Sequence, residues 1–230
     1  MKVQDAIVLI TGANRGIGLA FAEAALGRGA RKVYAGARRQ SSITTPGLEF
    51  VQLDVTSDQD VTAAARRCGD VTLVINNAGI ARAGGLFHSN AVEDARAQLE
   101  TNFYGIMRMT QAFAPVLAKN GGGAFLNVLS AASWINSGAM TAYAVSKAAA
   151  WSLTNGIRNE LRQQNTQVLG LHVGFVDTDL ARQLDVVKVS PQSVVSAAFD
   201  ALEAGLSEVL ADDRARMVKH GLTTDPPIYL

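Results

Sequence analysis

Tyr143 and Lys147 stand four residues apart in the segment Tyr143-Ala-Val-Ser-Lys147. On a helix both project from one face, so the ammonium can approach the phenol. A neighbouring cation favours phenolate and draws a phenol pKa of about 10 towards neutrality. Tyr143 is therefore a candidate general acid for a carbonyl oxygen, or base for an alcohol. An ordinary amphipathic pair has the same spacing, so the spacing alone leaves both readings open. Ser130 closes the apolar run AFLNVL at 124–129. A hydroxyl beyond the carboxyl end of a parallel strand reaches the crevice where such sheets bind ligands, and there it can orient a carbonyl group. Ser130 is not read as a nucleophile: no Gly-x-Ser-x-Gly turn surrounds it, and no motif ties it to His172. Ser133 has similar chemistry and lies close by.

These side chains need a frame. Short β-branched or aliphatic runs at 6–10, 32–36, 49–53, 71–75, 124–129, 168–173 and 208–211 alternate with helical patterns at 16–28, 58–67, 91–118, 142–163 and 191–204. That alternation predicts an α/β fold with a parallel sheet, and several runs are apolar throughout, as strands covered on both sides should be. The crossover from Arg38 to Leu48, with Pro46-Gly47, has little room for a helix. The first strand runs into Thr11-Gly12-Ala13-Asn14-Arg15-Gly16-Ile17-Gly18 and then a helix. Missing side chains let the backbone approach a pyrophosphate, and a helix N-terminus offers it unpaired N–H groups. The spacing is G-x-x-x-G-x-G, and a tight strand-to-helix turn has the same residues. No Gly-Lys-Ser/Thr is present, which excludes a phosphate loop of the NTPase kind.

Composition narrows the field. The 230 residues suit one domain, and 21 basic against 20 acidic residues leave a net charge of +1, with little drive towards nucleic acid. Mean hydropathy is +0.13, yet no run reaches the roughly 18–20 apolar residues of a spanning helix. Asp5 interrupts the one N-terminal stretch that looks like a signal peptide. Cys68, the single cysteine, excludes an intramolecular disulfide or a cysteine-rich zinc site and suits a reducing compartment. We therefore expect a soluble, cytoplasmic chain with no metal and no membrane partner.

Taken together, the motifs resemble those of the short-chain dehydrogenase/reductase family. Asn76-Asn77-Ala78-Gly79 follows the fourth strand, Asn102 lies in a mid-chain helix, Ser130 ends the fifth strand, and Tyr143 with Lys147 opens the next helix. All stand in family order over roughly residues 4–212. The resemblance implies one Rossmann-type doubly wound parallel sheet of about seven strands, order 3-2-1-4-5-6-7, with helices on both faces. Residues 1–230 form a single dinucleotide-binding and catalytic domain with a short tail at about 222–230. It favours Ser130 over Ser133, because twelve residues then separate the serine from Tyr143. It implies that Asn102 bends its helix and holds a water relaying protons towards Lys147. Lys147 is also implied to bind the nicotinamide ribose.

No side chain supplies hydride, so a nicotinamide cofactor is required. The resemblance puts Gly12, Asn14, Arg15, Gly16, Ile17 and Gly18 around its pyrophosphate and Asp54 and Val55 beside adenine. Asn77, Ala78 and Gly79 line its middle, and Gly174, Val176 and Thr178 lie near the carboxamide. After the second strand the chain reads Tyr34-Ala-Gly-Ala-Arg38-Arg39 with no acid until Glu49. An acid there would bind the ribose hydroxyls of NAD. Arg38 with Arg15 instead predicts a clamp on a 2′-phosphate, hence NADP(H) preferred, with NAD(H) as the alternative. Proline is replaced by Val173 in the loop after the sixth strand, which predicts a relaxed backbone there.

Trp134, Met140 and Phe175, with Phe87, are candidate walls of a hydrophobic substrate pocket. Ten residues separate Leu180 from Pro191, so a short cover and an open pocket are expected. This points to an NADPH-dependent reductase interconverting a ketone or aldehyde and an alcohol. The alternatives are a non-catalytic NADP-binding sensor or scaffold and, on this fold, a dehydratase or epimerase. Helices 91–118 and 142–163 correspond to those that pair subunits in relatives, implying a homodimer or homotetramer. The prolines of the tail forbid helix, and it is expected on a neighbouring subunit or disordered.

Overall fold

Ile7–Thr11 form strand β1, and every residue in it is buried. Val8 and Ile10 point into one apolar cluster and Ile7 and Leu9 into another, because helices cover both faces of the sheet. In the computed structural model, which describes residues 1–230, β1 is followed by β2 (Lys32–Ala37), β3 (Leu48–Gln52), β4 (Leu73–Asn76), β5 (Gly123–Val128), β6 (Thr166–His172) and β7 (Glu208–Leu210). The seven strands form one parallel sheet in the order β3-β2-β1-β4-β5-β6-β7. The order reverses between β1 and β4, opening a crevice at their carboxyl ends.

The helices are α1 (Gly16–Gly27), α2 (Asp58–Arg67), α3 (Ala91–Leu99), α4 (Gly105–Lys119), α5 (Thr141–Glu160), α6 (Pro191–Glu203) and α7 (Asp213–Gly221). On one face α1 and α6 meet through Phe21 and Phe199, edge to face at 5.3 Å. On the other, Val61 of α2, Phe113 and Leu117 of α4 and Ile157 of α5 fill the second cluster, which also takes up Cys68. Burial pushes the Cys68 thiol up to about 12, so it stays protonated and inert. No helix is long and apolar enough to cross a membrane.

Three expectations are corrected. The helix read over 91–118 is broken by a π turn at Glu100–Tyr104, between α3 and α4. The expected bend at Asn102 is therefore a wider backbone turn, a feature that clusters at functional sites. Helix α7 has no counterpart among the predicted helices: only Ala215, Val218 and Gly221 of its nine residues are buried, too few to set up a periodic signal. The tail, expected on a neighbouring subunit or disordered, instead makes its contacts within its own chain. Ile228 donates its backbone N–H to the Gly221 carbonyl at 2.8 Å and packs where a Gly221 side chain would stand, so the tail turns back onto α7. Between β2 and β3 the chain forms one short 3-10 turn, Gln40–Ser42, in the crossover expected to be loop.

Candidate active site

Past β1 the chain turns through Gly12 (φ +65°) and Gly16 (φ +56°), conformations that glycine adopts without strain. Gly18 serves packing: a Cβ there would lie 2.2 Å from the Gly12 carbonyl oxygen and 2.5 Å from Asn77 Nδ2. Asn77 Nδ2 donates to the carbonyls of Thr11 (2.9 Å) and Gly12 (3.2 Å). Thr11 Oγ1 accepts from the backbone N–H groups of Asn77 (3.0 Å) and Ala78 (2.9 Å). The loop after β4 is thereby sewn to the glycine turn. No acidic residue occupies the first turn of α1, which leaves its N-terminus attractive to an anion.

Arg15 caps α1 without a side-chain capping bond, and its guanidinium instead reaches Asp179 Oδ2 at 3.0 Å. Asp179 also pairs with Arg182, and the two arginines hold its carboxyl below the usual range. Arg15 is thus committed to an ion pair rather than standing free, while Arg38 is exposed just past β2. Thr178 packs against Gly16, where an added Cβ would meet Thr178 Cγ2 at 3.2 Å. A turn with glycine at its two left-handed positions, a helix start free of acids, and two cations, Arg15 at the helix cap and Arg38 just past β2, fit a dinucleotide carrying an extra phosphate.

Helix α5 carries Tyr143 and Lys147, the candidate acid–base pair. Lys147 is 5% exposed and its Nζ donates to the Val128 carbonyl at 2.8 Å, 5.9 Å from the centre of the Tyr143 ring. Burial pushes Lys147 down to about 8. Tyr143 departs from expectation: burial raises its phenol above the ordinary 10, opposed by the nearby Ser130 hydroxyl, and the ammonium does not outweigh this. Ser130 is 6% exposed at the end of β5; its Oγ accepts from Ala132 N–H at 3.1 Å and its carbonyl from Ser133 N–H at 3.0 Å. Ser133 Oγ is buried and without a partner.

Asn102, 1% exposed, uses its whole amide. Oδ1 accepts from Ile80 N–H, and Nδ2 donates to the Ile80 carbonyl and to Ser146 Oγ, all at 2.9 Å. Its side chain therefore staples the loop after β4 to α5, and Gly79 leaves room for both it and Lys147. Beneath the pair runs a buried chain that sequence reasoning missed. Asn76 Nδ2 donates to Asn127 Oδ1 (2.8 Å), and Asn127 Nδ2 donates to Thr154 Oγ1 (3.0 Å). The signal is an asparagine inside the apolar strand run AFLNVL, where an amide needs partners.

Other predicted site residues are placed variously. Asp54 Oδ1 accepts from the Thr56 backbone and hydroxyl at 2.9 and 2.7 Å, and Val55 packs on Gly105 at the start of α4. Val176 is buried in the core, so only its backbone can face a ligand. Gly174 backs onto α7: its N–H donates to Asp212 Oδ2 at 2.8 Å, and a Cβ would meet that oxygen and Arg214. The loop expected to be relaxed by Val173 is instead pinned. Val176 bridges Val189, with Asp177 N–H donating to the Val189 carbonyl and Val189 N–H to that of Phe175, both at 2.9 Å. Met140 pairs with Gly84 just ahead of α5. Phe175 lies 5.6 Å from the Arg214 guanidinium, and Phe87 is 97% exposed. Trp134 is no open wall: it stacks on His172 at 3.9 Å, with Lys219 4.5 Å from its ring centre.

The family model for short chain dehydrogenases matches residues 6–187. A short-chain dehydrogenase from Burkholderia cenocepacia, solved in complex with NADP, superposes with a TM-score of 0.94 at 38% identity, covering 98% of this chain and 96% of that one. An uncharacterized oxidoreductase of Staphylococcus saprophyticus is 27% identical over 88% of this chain and 93% of its own length. The 3-oxoacyl-acyl-carrier-protein reductase FabG of Vibrio harveyi is 29% identical over 80% of this chain and 79% of its own. The chain belongs to the short-chain dehydrogenase/reductase family of nicotinamide-dependent oxidoreductases.

Proposed function

We infer that the protein interconverts a ketone or aldehyde and an alcohol, with NADPH preferred over NADH. One arrangement carries this reading: the Tyr143 phenol stands near Ser130, just past the carboxyl end of β5, with the buried Lys147 on the same helical face, 5.9 Å from the centre of the phenol ring. A bound nicotinamide supplies the hydride. Ser130 and Tyr143 hold the substrate oxygen, and Tyr143 gives it a proton as negative charge develops there. Burial keeps the phenol protonated at neutral pH, which suits it to donation. The Lys147 ammonium steadies the phenolate left behind, and the π turn around Asn102 is the proposed seat of a proton relay to Lys147. The exposed Arg38, the nearby Arg15 and the NADP complex of the Burkholderia relative support the cofactor preference. Exposed Leu180, Leu184, Val186 and Val187 in the short cover favour an apolar substrate. Exposed Tyr104 and Val145, at the head of α4 and on α5, suit pairing with a second copy.

The test follows NADPH and NADH absorbance over a panel of ketones and aldehydes for wild type and Tyr143→Phe. Turnover with NADPH, falling by about a hundredfold or more in the variant, is expected. Undiminished reduction by Tyr143→Phe overturns the mechanism. Tight NADPH binding without turnover on any substrate points to a binding protein instead.

A further inference from the structure

His172, at the end of β6, is fully buried and has no part in the chemistry above. Its Nδ1 lies 3.1 Å from the main-chain oxygen of Ser130. A carbonyl has no proton to give, so the hydrogen sits on Nδ1 and the imidazole is the donor. Across the ring, Nε2 stands 3.4 Å from Glu208 Oε1 on β7, at ion-pair range but without hydrogen-bond alignment. Glu208 is held in turn by Lys219 of α7 at 3.0 Å. The Trp134 indole covers one face of the imidazole, nearly parallel at 17°. The ring is therefore fixed by β7, α7 and the turn after β5 together.

We propose that His172 is a positioning residue for Ser130. The Ser130 carbonyl accepts two hydrogen bonds, from Ser133 N–H and from His172, while its Oγ accepts from Ala132 N–H. The Ser133 and Ala132 bonds are local to the turn and move with it. Backbone bonds from Leu129 N–H to the Leu171 carbonyl and from Ala131 N–H to the Val173 carbonyl hold the chain on either side. The His172 bond adds the side-chain tie at Ser130 itself, which sets the tilt of its peptide and so where the hydroxyl stands relative to Tyr143 on α5. The Trp134 stack holds the ring in the plane of the donor, and Glu208 with Lys219 closes its far edge. This rests on the reading of Ser130 as the hydroxyl that orients the substrate oxygen. Helix α7 thereby acquires a role at the site, since its Lys219 is the last member of the chain of contacts.

Amide replacements separate the two ring nitrogens. His172→Asn keeps a donor near the Nδ1 position, His172→Gln moves the donor towards Glu208, and His172→Leu removes both. Wild type, these three and Ser130→Ala are compared for kcat, KM, NADPH binding and thermal midpoint, with a substrate turned over by wild type. We expect kcat to fall by about tenfold in the Gln and Leu variants, with NADPH binding within about twofold, and His172→Asn to recover most of kcat. Asn as impaired as Gln at similar thermal midpoints overturns the proposal, as does a Leu variant with wild-type kcat. Should His172→Leu fail to fold, the Asn and Gln pair decides. Should Ser130→Ala cost nothing, the reading of Ser130 fails, whatever the histidine variants do.

Discussion

Lys147 donates its ammonium hydrogen to the Val128 carbonyl at 2.8 Å, tying the charged group of α5 to the last residue of β5. The tether places a cation beneath the acid and also keeps it out of water, and the second effect is large enough to shift the lysine from 10.5 to about 8.

That burial sets stability against activity. A drop from 10.5 to about 8 corresponds to a cost of ~3 kcal/mol for keeping the charge inside, of which orphaning the Val128 carbonyl offsets about 1 kcal/mol when the lysine is removed. Lys147→Met is therefore expected to be inactive yet more stable by about 1–2 kcal/mol at pH 7. The sign reverses the usual salt-bridge case. Below pH 8 the folded and unfolded lysine are both charged and the cost is complete. From about 8 to 10.5 the unfolded state binds more protons, so wild-type stability rises and the gain of the variant fades. Urea unfolding at pH 7 and pH 10 checks both halves.

Lys147 and Tyr143 together are expected to set the pH dependence of turnover. The phenol of Tyr143 is held above its ordinary value, so the acid form persists through the neutral range. Reduction is then expected to weaken as pH climbs past about 8, where Lys147 loses its proton, while alcohol oxidation gains. Rate profiles in both directions from about pH 6 to pH 10 test this. A reduction rate that stays level to about pH 9.5 would show that Lys147 does not titrate in the working enzyme.

Cofactor choice is expected to depend on two arginines of different availability. Arg38 is free, so Arg38→Ala should remove most of an NADPH preference that we expect to be about tenfold or more. Arg15 is 65% exposed and paired with Asp179, a contact that a phosphate can displace because exposed ion pairs are worth about 1 kcal/mol or less. Asp179→Ala is expected to tighten NADPH binding by about two- to fivefold and leave NADH unchanged, since it frees the guanidinium and removes a repelling carboxylate. Titrating both cofactors by fluorescence distinguishes this from a general effect on the cleft; equal gains for both would refute it.

Much of the frame is legible in the sequence because its signals are local. The strand runs, the glycine turn, Tyr143 with Lys147 and the serine after β5 each rest on residue type and short spacing, and the structure puts them at one end of the sheet. What escapes depends on partners far along the chain. The π turn at Glu100–Tyr104 interrupts a helical period that looks continuous in sequence, since the extra residue is accommodated by Asn102 reaching Ile80 and Ser146. Trp134 reads as a pocket wall until Lys219 and His172 close over it. Its partners lie in β6 and in α7, the helix whose sparse apolar residues hide it. The packing of Gly174 on the start of α7 is hidden for the same reason.

The Val176–Val189 bridge closes the stem of the cover with two backbone hydrogen bonds, and the chain between them makes one short 3-10 turn at Asp179–Ala181. Above such a stem, residues can be added or exchanged at little entropic cost, because closing a loop already pinned at its base depends only weakly on its length. Substrate range and the protein's framework are thus separable here. The cover is expected to behave as an exchangeable cassette, and grafting a longer segment between Thr178 and Lys188 is the natural way to retune specificity without disturbing Tyr143 and Lys147 on α5.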